Sequence, residues 1–332
     1  MSLGFRAMSN RVASLLAFAL LCAASAPVLA QPAPAATSGA PATTARSASK
    51  TESTTVGEVV VQGRAPTTPQ AFAKSVEKFV HDLGRPGPVG QISRWGQPVC
   101  PITAGLTPAF DDFVNRRIKQ IAARVGAPGP GDCRKDANVM VIFTTQPDQL
   151  MADVRRHHEE LLGFHYVGET RSLAAFQPPM KSWYVTMTGI KGEPGGRIDQ
   201  AYAPHELSQG GSRIPPPFKS EFAFAFVVVD AKLLEGQAIG PVAERIAMLV
   251  LSKPASRDGC SPLPSVLDVL DPYCPSGGST EGLTVYDEAY LKALYAYNGS
   301  EMRFFERPAI RKRIIEDTRP AAPVAADHAG AP

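Results

Sequence analysis

The sequence predicts an α+β fold, a mixed sheet with helices packed on it. Three observations carry this. Apolar residues recur at helical spacing over 108–125, a continuous apolar run stands at Val139–Phe143, and strict alternation follows at Ser182–Thr188. Interleaving of these two periodicities is the mark of a mixed architecture.

Each element has a local reason. Thr107 is placed to cap a helix with Pro108 at its first position and Asp111 and Asp112 in its first turn. Phe110, Phe113, Val114, Ile118, Ile121 and Val125 then form its apolar stripe until Gly126 stops it. Gly131–Asn138 reads as a turn and Val139–Phe143 as a buried strand. Pro147–Leu162 is helical again. In Ser182–Thr188, Trp183, Val185 and Met187 share one face and Tyr184, Thr186 and Thr188 the other. Gly189–Pro217 holds six Gly and five Pro and reads as a long surface loop. Glu221–Val229, rich in Phe and Val, is a strand. Helices follow at Ile239–Leu251 and Thr284–Tyr297, with a third at Pro308–Glu316.

The ends of the chain differ in kind from this core. Arg6 and Arg11 precede the apolar stretch Ala13–Ala24, and Val28-Leu29-Ala30 offers small residues before a cleavage point, so residues 1–30 read as a secretory signal. Of the 25 residues from Gln31 to Thr55, 21 are Ala, Pro, Ser, Thr or Gly, a composition that buries too little to offset its ordering entropy. Residues 31–56 are therefore expected to be a linker, 57–318 a single core domain, and 319–332 a tail. The longest later apolar run, Phe222–Val229, is eight residues, too short for a membrane span.

Export alters the charge and cysteine arithmetic. Loss of Arg6 and Arg11 leaves 32 basic against 31 acidic residues, which argues against nucleic acid as a partner. Loss of Cys22 leaves Cys100, Cys133, Cys260 and Cys274, an even number in an oxidising compartment, expected to pair as disulfides. Three pairings are open, and sequence proximity favours Cys100–Cys133 with Cys260–Cys274.

Familiar catalytic patterns are missing: no phosphate-cradling glycine loop and no nucleophile elbow occur. His157-His158-Glu159-Glu160 is not a helical metal site, because adjacent residues diverge by about 100° and the i+4 partners are Leu161 and Leu162. His205-Glu206 lies in the Gly/Pro-rich loop without a third partner nearby.

The C-terminal third carries a resemblance. Val242–Leu251 is an apolar helix; Pro264-Ser265-Val266-Leu267 follows a Cys-bounded loop; Leu283, Asp287, Leu291 and Leu294-Tyr295 then repeat at helical spacing. This order resembles the metzincin-type zinc peptidases, with His-Glu-x-x-His on a helix, a later Ser-containing turn and a closing helix. The resemblance implies a zincin-like fold. It places Glu244 where the general base stands and Ala243 and Ala247 where the two zinc-binding histidines stand, with no histidine in Ser252–Gly259 for a third ligand. Alanine methyls offer zinc no lone pair, and without the metal Glu244 has no acidified water to deprotonate. The chain is also similar to exported bacterial proteins with degenerate zincin-like regions, through Arg94-Trp95, Pro98–Pro101, Trp183-Tyr184 and the C-terminal helices. Expected, then, is a shell with neither metal nor cofactor. Otherwise, Glu244 is an ordinary polar residue on the exposed side of a buried helix.

Glu58-Val59-Val60-Val61-Gln62-Gly63-Arg64 is similar to the TonB box of outer-membrane receptors. That likeness implies strand addition to a periplasmic partner, reached by way of the linker. The alternative is that Val59–Val61 is an edge strand of the core. The expected function is a periplasmic, non-catalytic binding or envelope-associated role; the alternative is a hydrolase acting around Glu244 or His205.

Overall fold

A parallel pair opens the sheet. β1 (Pro101–Ala104) lies beside β2 (Val139–Thr144), with Pro101 opposite Val139 and Ala104 opposite Ile142. Five successive residues of β2 are buried, as an apolar run flanked on both faces requires. β3 (Met180–Ile190), β4 (Arg197–Ile198) and β5 (Phe218–Asp230) complete the order β1-β2-β5-β3-β4. β5 is parallel to β2 and antiparallel to β3, and β4 is antiparallel to β3, so the sheet is mixed.

The computed structural model describes residues 68–87, 90–129, 131–133, 137–162, 175–190, 196–198, 218–255, 259–271, 273–274, 281–297 and 303–318. The segments expected to be a signal, a linker and a tail, together with Glu58–Val61, His165, His205 and most of the Gly/Pro-rich loop, lie outside these. Among the described residues no helix is long and apolar enough to cross a membrane.

The helices among the described residues are α1 (Pro69–Leu83), α2 (Pro108–Arg124), α3 (Pro147–His157), α4 (Ile239–Leu251), α5 (Val285–Ala296) and α6 (Arg303–Thr318). All but α3 join one layer, where Val139, Val141 and Phe143 of β2 meet α2, α4 and α5. On the opposite face α3 and the 3-10 turn Glu159–Leu162 cover Met140, Ile142, Trp183 and Val185. A bulge keeps β5 in step with both layers. Opposite Val185 and Thr186 its register jumps from Phe224 to Phe222, leaving Ala223 extra. Phe222 thereby shares a face with Ala225, Val227 and Val229. The jump falls where β5 changes neighbour, from a bridge between Arg94 and Glu221 to β2 at Ala225.

Several sequence expectations need correction. Thr107 is extended and stands at the N-terminal cap of α2, but its side chain makes no capping bond; instead Asp111 Oδ1 accepts from Leu106 N at 3.3 Å. Phe110, expected in the buried stripe, is 50% exposed, because it lies in the first turn beyond the contact with α4. Gly126 does stop this helix, with a φ of +82° just past it. The second helix ends at His157 and only a 3-10 turn continues it to Leu162. The last helix begins at Arg303 rather than Pro308. α1 and β1 were not expected. α1 starts at a Thr68 cap, whose hydroxyl accepts from Ala71 N at 3.2 Å, with Pro69 next, and buries Phe72, Val76, Phe79 and Leu83.

Cys100–Cys133 and Cys260–Cys274 are the disulfide pairs, with Cα separations of 4.9 and 5.3 Å. The first joins the start of β1 to the connection entering β2. Asn138 reinforces it, accepting from Cys100 N and donating to Pro98 O, both at 2.8 Å.

Candidate functional site

The helix that carries the resemblance is the most enclosed of the described helices. In α4 every residue from Val242 to Leu251 is buried, charged Glu244 and Arg245 included. A helix apolar nearly all round belongs in a core. Its C-terminus, however, ends with four carbonyls that water cannot reach. Each receives a side-chain donor: Ser252 Oγ to Met248 O (2.6 Å), Tyr184 Oη to Leu249 O (2.7 Å), Trp95 Nε1 to Val250 O (2.9 Å) and Tyr295 Oη to Leu251 O (2.9 Å). Burial pushes the Tyr184 and Tyr295 hydroxyls well above the ordinary phenol range, which keeps them as donors. Trp95, Tyr184 and Tyr295 belong to the stretches that carry the resemblance, and their work is to close this helix end.

Glu244 is not on an exposed side. Its side chain is 8% exposed, and both carboxylate oxygens are engaged. Oε1 accepts from Arg117 Nε at 2.8 Å and from Arg117 Nη2; Oε2 accepts from the backbone N–H of Leu283. Arg117 comes from α2 and is 28% exposed, while Leu283 stands just before α5. Gly282 makes the approach possible, since a Cβ there would collide with the carboxylate. Glu244 thus ties α2, α4 and the entry to α5 together. The expectation of an exposed polar residue fails because α4 is covered on that side by α2 and the 281–284 loop.

The two flanking positions face inward. Ala243 and Ala247 are fully buried in the main core. Neither they nor their surroundings fit a zinc ion: the atoms at these positions are methyl carbons without lone pairs. Among the described residues, no group of three or more His, Cys, Asp or Glu is arranged to hold a metal. His157 is exposed and lies 3.8 Å from Asp153, one turn back on the same helix.

Around α4 the remaining resemblance segments meet. Ser265 opens the 3-10 turn Val266–Asp268, which packs on α4. Its hydroxyl donates to Asp287 Oδ1 at 2.6 Å, and Val266 N donates to Asp287 Oδ2 at 2.8 Å. Asp287 also completes a capping box with Thr284, whose hydroxyl reaches Pro264 O at 2.8 Å. Burial raises the Asp287 carboxyl, opposed by the donors from Ser265, Val266 and Thr284. Arg245 donates to Val269 O from the other side of the turn. Asp268, fully buried, accepts from Ser261 N, so the disulfide-bounded loop is pinned from within as well as at its ends.

No protein-family model, curated protein or solved structure matches this chain. Argument about its function therefore rests on the geometry. Sequence reasoning singled out Glu244, Ala243 and Ala247, and the structure brings all three into one buried helix. It does not single out Arg117 or Gly282, for which no local pattern exists, nor the roles of the Leu283 amide and of Asp287.

Proposed function

We propose that this is an exported, non-catalytic protein of the bacterial envelope, built on a zincin-like shell, which binds a partner by strand addition through Glu58–Val61. One observation carries the non-catalytic part: the Glu244 carboxylate is consumed by Arg117 and the Leu283 amide, with alanines on the adjoining helix positions. A general base needs a free lone pair within hydrogen-bond reach of the proton it removes. Here three donor bonds engage both oxygens of the carboxylate. The meeting of α4, the Ser265 turn and α5 supports the zincin-like reading, because those are the segments on which the resemblance rests.

Export is supported by the leader containing Arg6 and Arg11 and by the two disulfides. Strand addition is supported by the β-branched run Val59–Val61 at the end of an Ala/Pro/Ser/Thr-rich segment. The test uses the protein isolated from a Gram-negative periplasm. It should carry no stoichiometric zinc, turn over no peptide or ester substrate, and be retained on an immobilised TonB periplasmic domain. Val60→Pro should abolish that retention, since proline removes a ladder donor. Zinc at one equivalent with hydrolysis lost in Glu244→Gln would establish the hydrolase reading instead. Equal retention of Val60→Pro would remove the partner assignment.

A further inference from the structure

The two disulfides sit in opposite surroundings. Cys100 is 1% exposed, its N–H is held by Asn138 Oδ1 at 2.8 Å, and its carbonyl receives Val139 N where β2 begins. Its partner Cys133 is half-buried against the carbonyl of Val99. Opening that bridge disturbs the contact between β1 and β2. Cys260, by contrast, is exposed, next to exposed Gly259, and its sulfur lies 3.4 Å from the carbonyl of the 89% exposed Tyr273. Its partner Cys274 is 4% exposed. One half of this bridge faces solvent and the other faces the core.

The loop between Cys260 and Cys274 does not depend on the bridge for its place. Leu263, Val266, Leu267 and Val269 are buried in the main core. Asp268 holds Ser261 N at 3.1 Å, Asp287 holds Ser265 and Val266, and Arg245 holds Val269 O, none of them through a sulfur. Cys274 N is itself bonded to Asp271 O at 3.2 Å. Cutting the bridge removes a tie at the surface and leaves these contacts standing.

We propose that Cys260–Cys274 is a thiol–disulfide exchange site, opened in the folded protein by a dithiol that attacks Cys260. Exchange runs through attack of a thiolate on a disulfide sulfur, and access decides which sulfur is taken. A thiolate of the dithiol bonds to Cys260 Sγ as the Cys260–Cys274 bond breaks; the electron pair leaves on Cys274 Sγ, which takes up a proton. The second thiolate of the dithiol then attacks the first, closing the dithiol to a disulfide and releasing Cys260 Sγ, which is protonated in turn. The dithiol loses two electrons and the protein bridge gains them. Burial of Cys274 sets the preference for a dithiol. Because the loop stays folded, the Cys274 thiol remains beside the mixed disulfide at high effective concentration and expels a partner that carries one thiol. None of this depends on the reading of Glu244 above.

The test treats the purified, oxidised protein with dithiothreitol or with glutathione at equal thiol concentration, traps free thiols with iodoacetamide and maps them by mass spectrometry. Dithiothreitol is expected to label Cys260 and Cys274 together while Cys100–Cys133 stays joined and the native circular dichroism is kept. Glutathione should label neither. Urea below the unfolding transition should leave the labelling rate unchanged, since attack on an exposed native bond needs no opening of the fold. Cys100–Cys133 opening first or at the same rate, or labelling that rises with urea in step with unfolding, overturns the proposal; equal labelling by glutathione overturns the dithiol preference. Two variants check the point of attack. In Cys274→Ser, Cys260 should react with a dithiopyridine reagent faster than Cys274 does in Cys260→Ser, and the reverse order overturns attack at Cys260.

Discussion

Replacing Glu244 by Gln separates a structural carboxylate from a catalytic one. The substitution keeps shape and changes two contacts. At Oε1, the bonds from Arg117 lose their charge assistance, which roughly halves charge-assisted bonds; Arg117 is 28% exposed, so the loss is about 1 kcal/mol after solvent screening. At the other oxygen the amide NH2 now faces Leu283 N–H, two donors without an acceptor in a site that is 8% exposed, costing about 1–3 kcal/mol. The sum is near 3 kcal/mol, which for a domain of this size corresponds to a fall in Tm of about 6–12 °C. Calorimetry on the purified protein measures it, with Arg117→Gln and the double variant completing a cycle. The cycle should show coupling of about 1 kcal/mol between the two positions. A Glu244→Gln protein that melts within about 1 °C of the unaltered one would refute the reasoning, since a carboxylate holding three elements cannot be neutral to stability.

Other predictions concern neighbouring features. Gly282→Ala drives a methyl against the Glu244 carboxylate and should lower stability by about 1–3 kcal/mol, the usual cost of overpacking, seen as a fall in the urea midpoint; an unchanged midpoint would show that the loop yields freely. Cys260→Ser with Cys274→Ser opens a loop with a sequence separation of 14 and should destabilise by about 3 kcal/mol, read as a denaturant shift smaller than the one reductant causes in the unaltered protein, where Cys100–Cys133 opens too. Of the eight tyrosines, burial pushes up the hydroxyls of Tyr184, Tyr286, Tyr290 and Tyr295, and furthest those of the fully buried Tyr184, Tyr290 and Tyr295. A folded pKa raised above the unfolded value contributes stability below about pH 10 and loses it as pH rises toward the folded value. Spectrophotometric titration should therefore show Tyr184, Tyr290 and Tyr295 ionising only together with loss of the native circular dichroism; eight phenols titrating near pH 10 in a still-folded protein would contradict it.

What could be read in the sequence was local. The bounds of α4, Ile239–Leu251, and the run at Val139–Phe143 follow from contiguous apolar patterns, and both are present. α1 is equally legible, with Thr68-Pro69 at its start and Phe72, Val76, Phe79 and Leu83 at helical spacing. β1 offered almost no signal, being four residues behind a proline. Glu244 was misplaced for a different reason. Its partners stand 127 residues before it and 39 after it, and an acid in an apolar helix shows nothing of its own about who will neutralise it. The same holds for Trp95, Tyr184 and Tyr295: resemblance marked them as notable, but only three-dimensional placement shows that they end a helix.

Both tryptophans have their indole N–H fixed on a carbonyl, Trp95 on Val250 O and Trp183 on Leu161 O, and both are 2% exposed. They lie on opposite faces of the sheet, Trp95 against Phe222 and Trp183 stacked on Phe226 at 5.1 Å. With only two such residues in 332, the chain carries one tryptophan per layer. Emission from a single-tryptophan variant is thus assigned to one side of the sheet without any added label, and the two layers can be watched as they come apart, separately or as a unit.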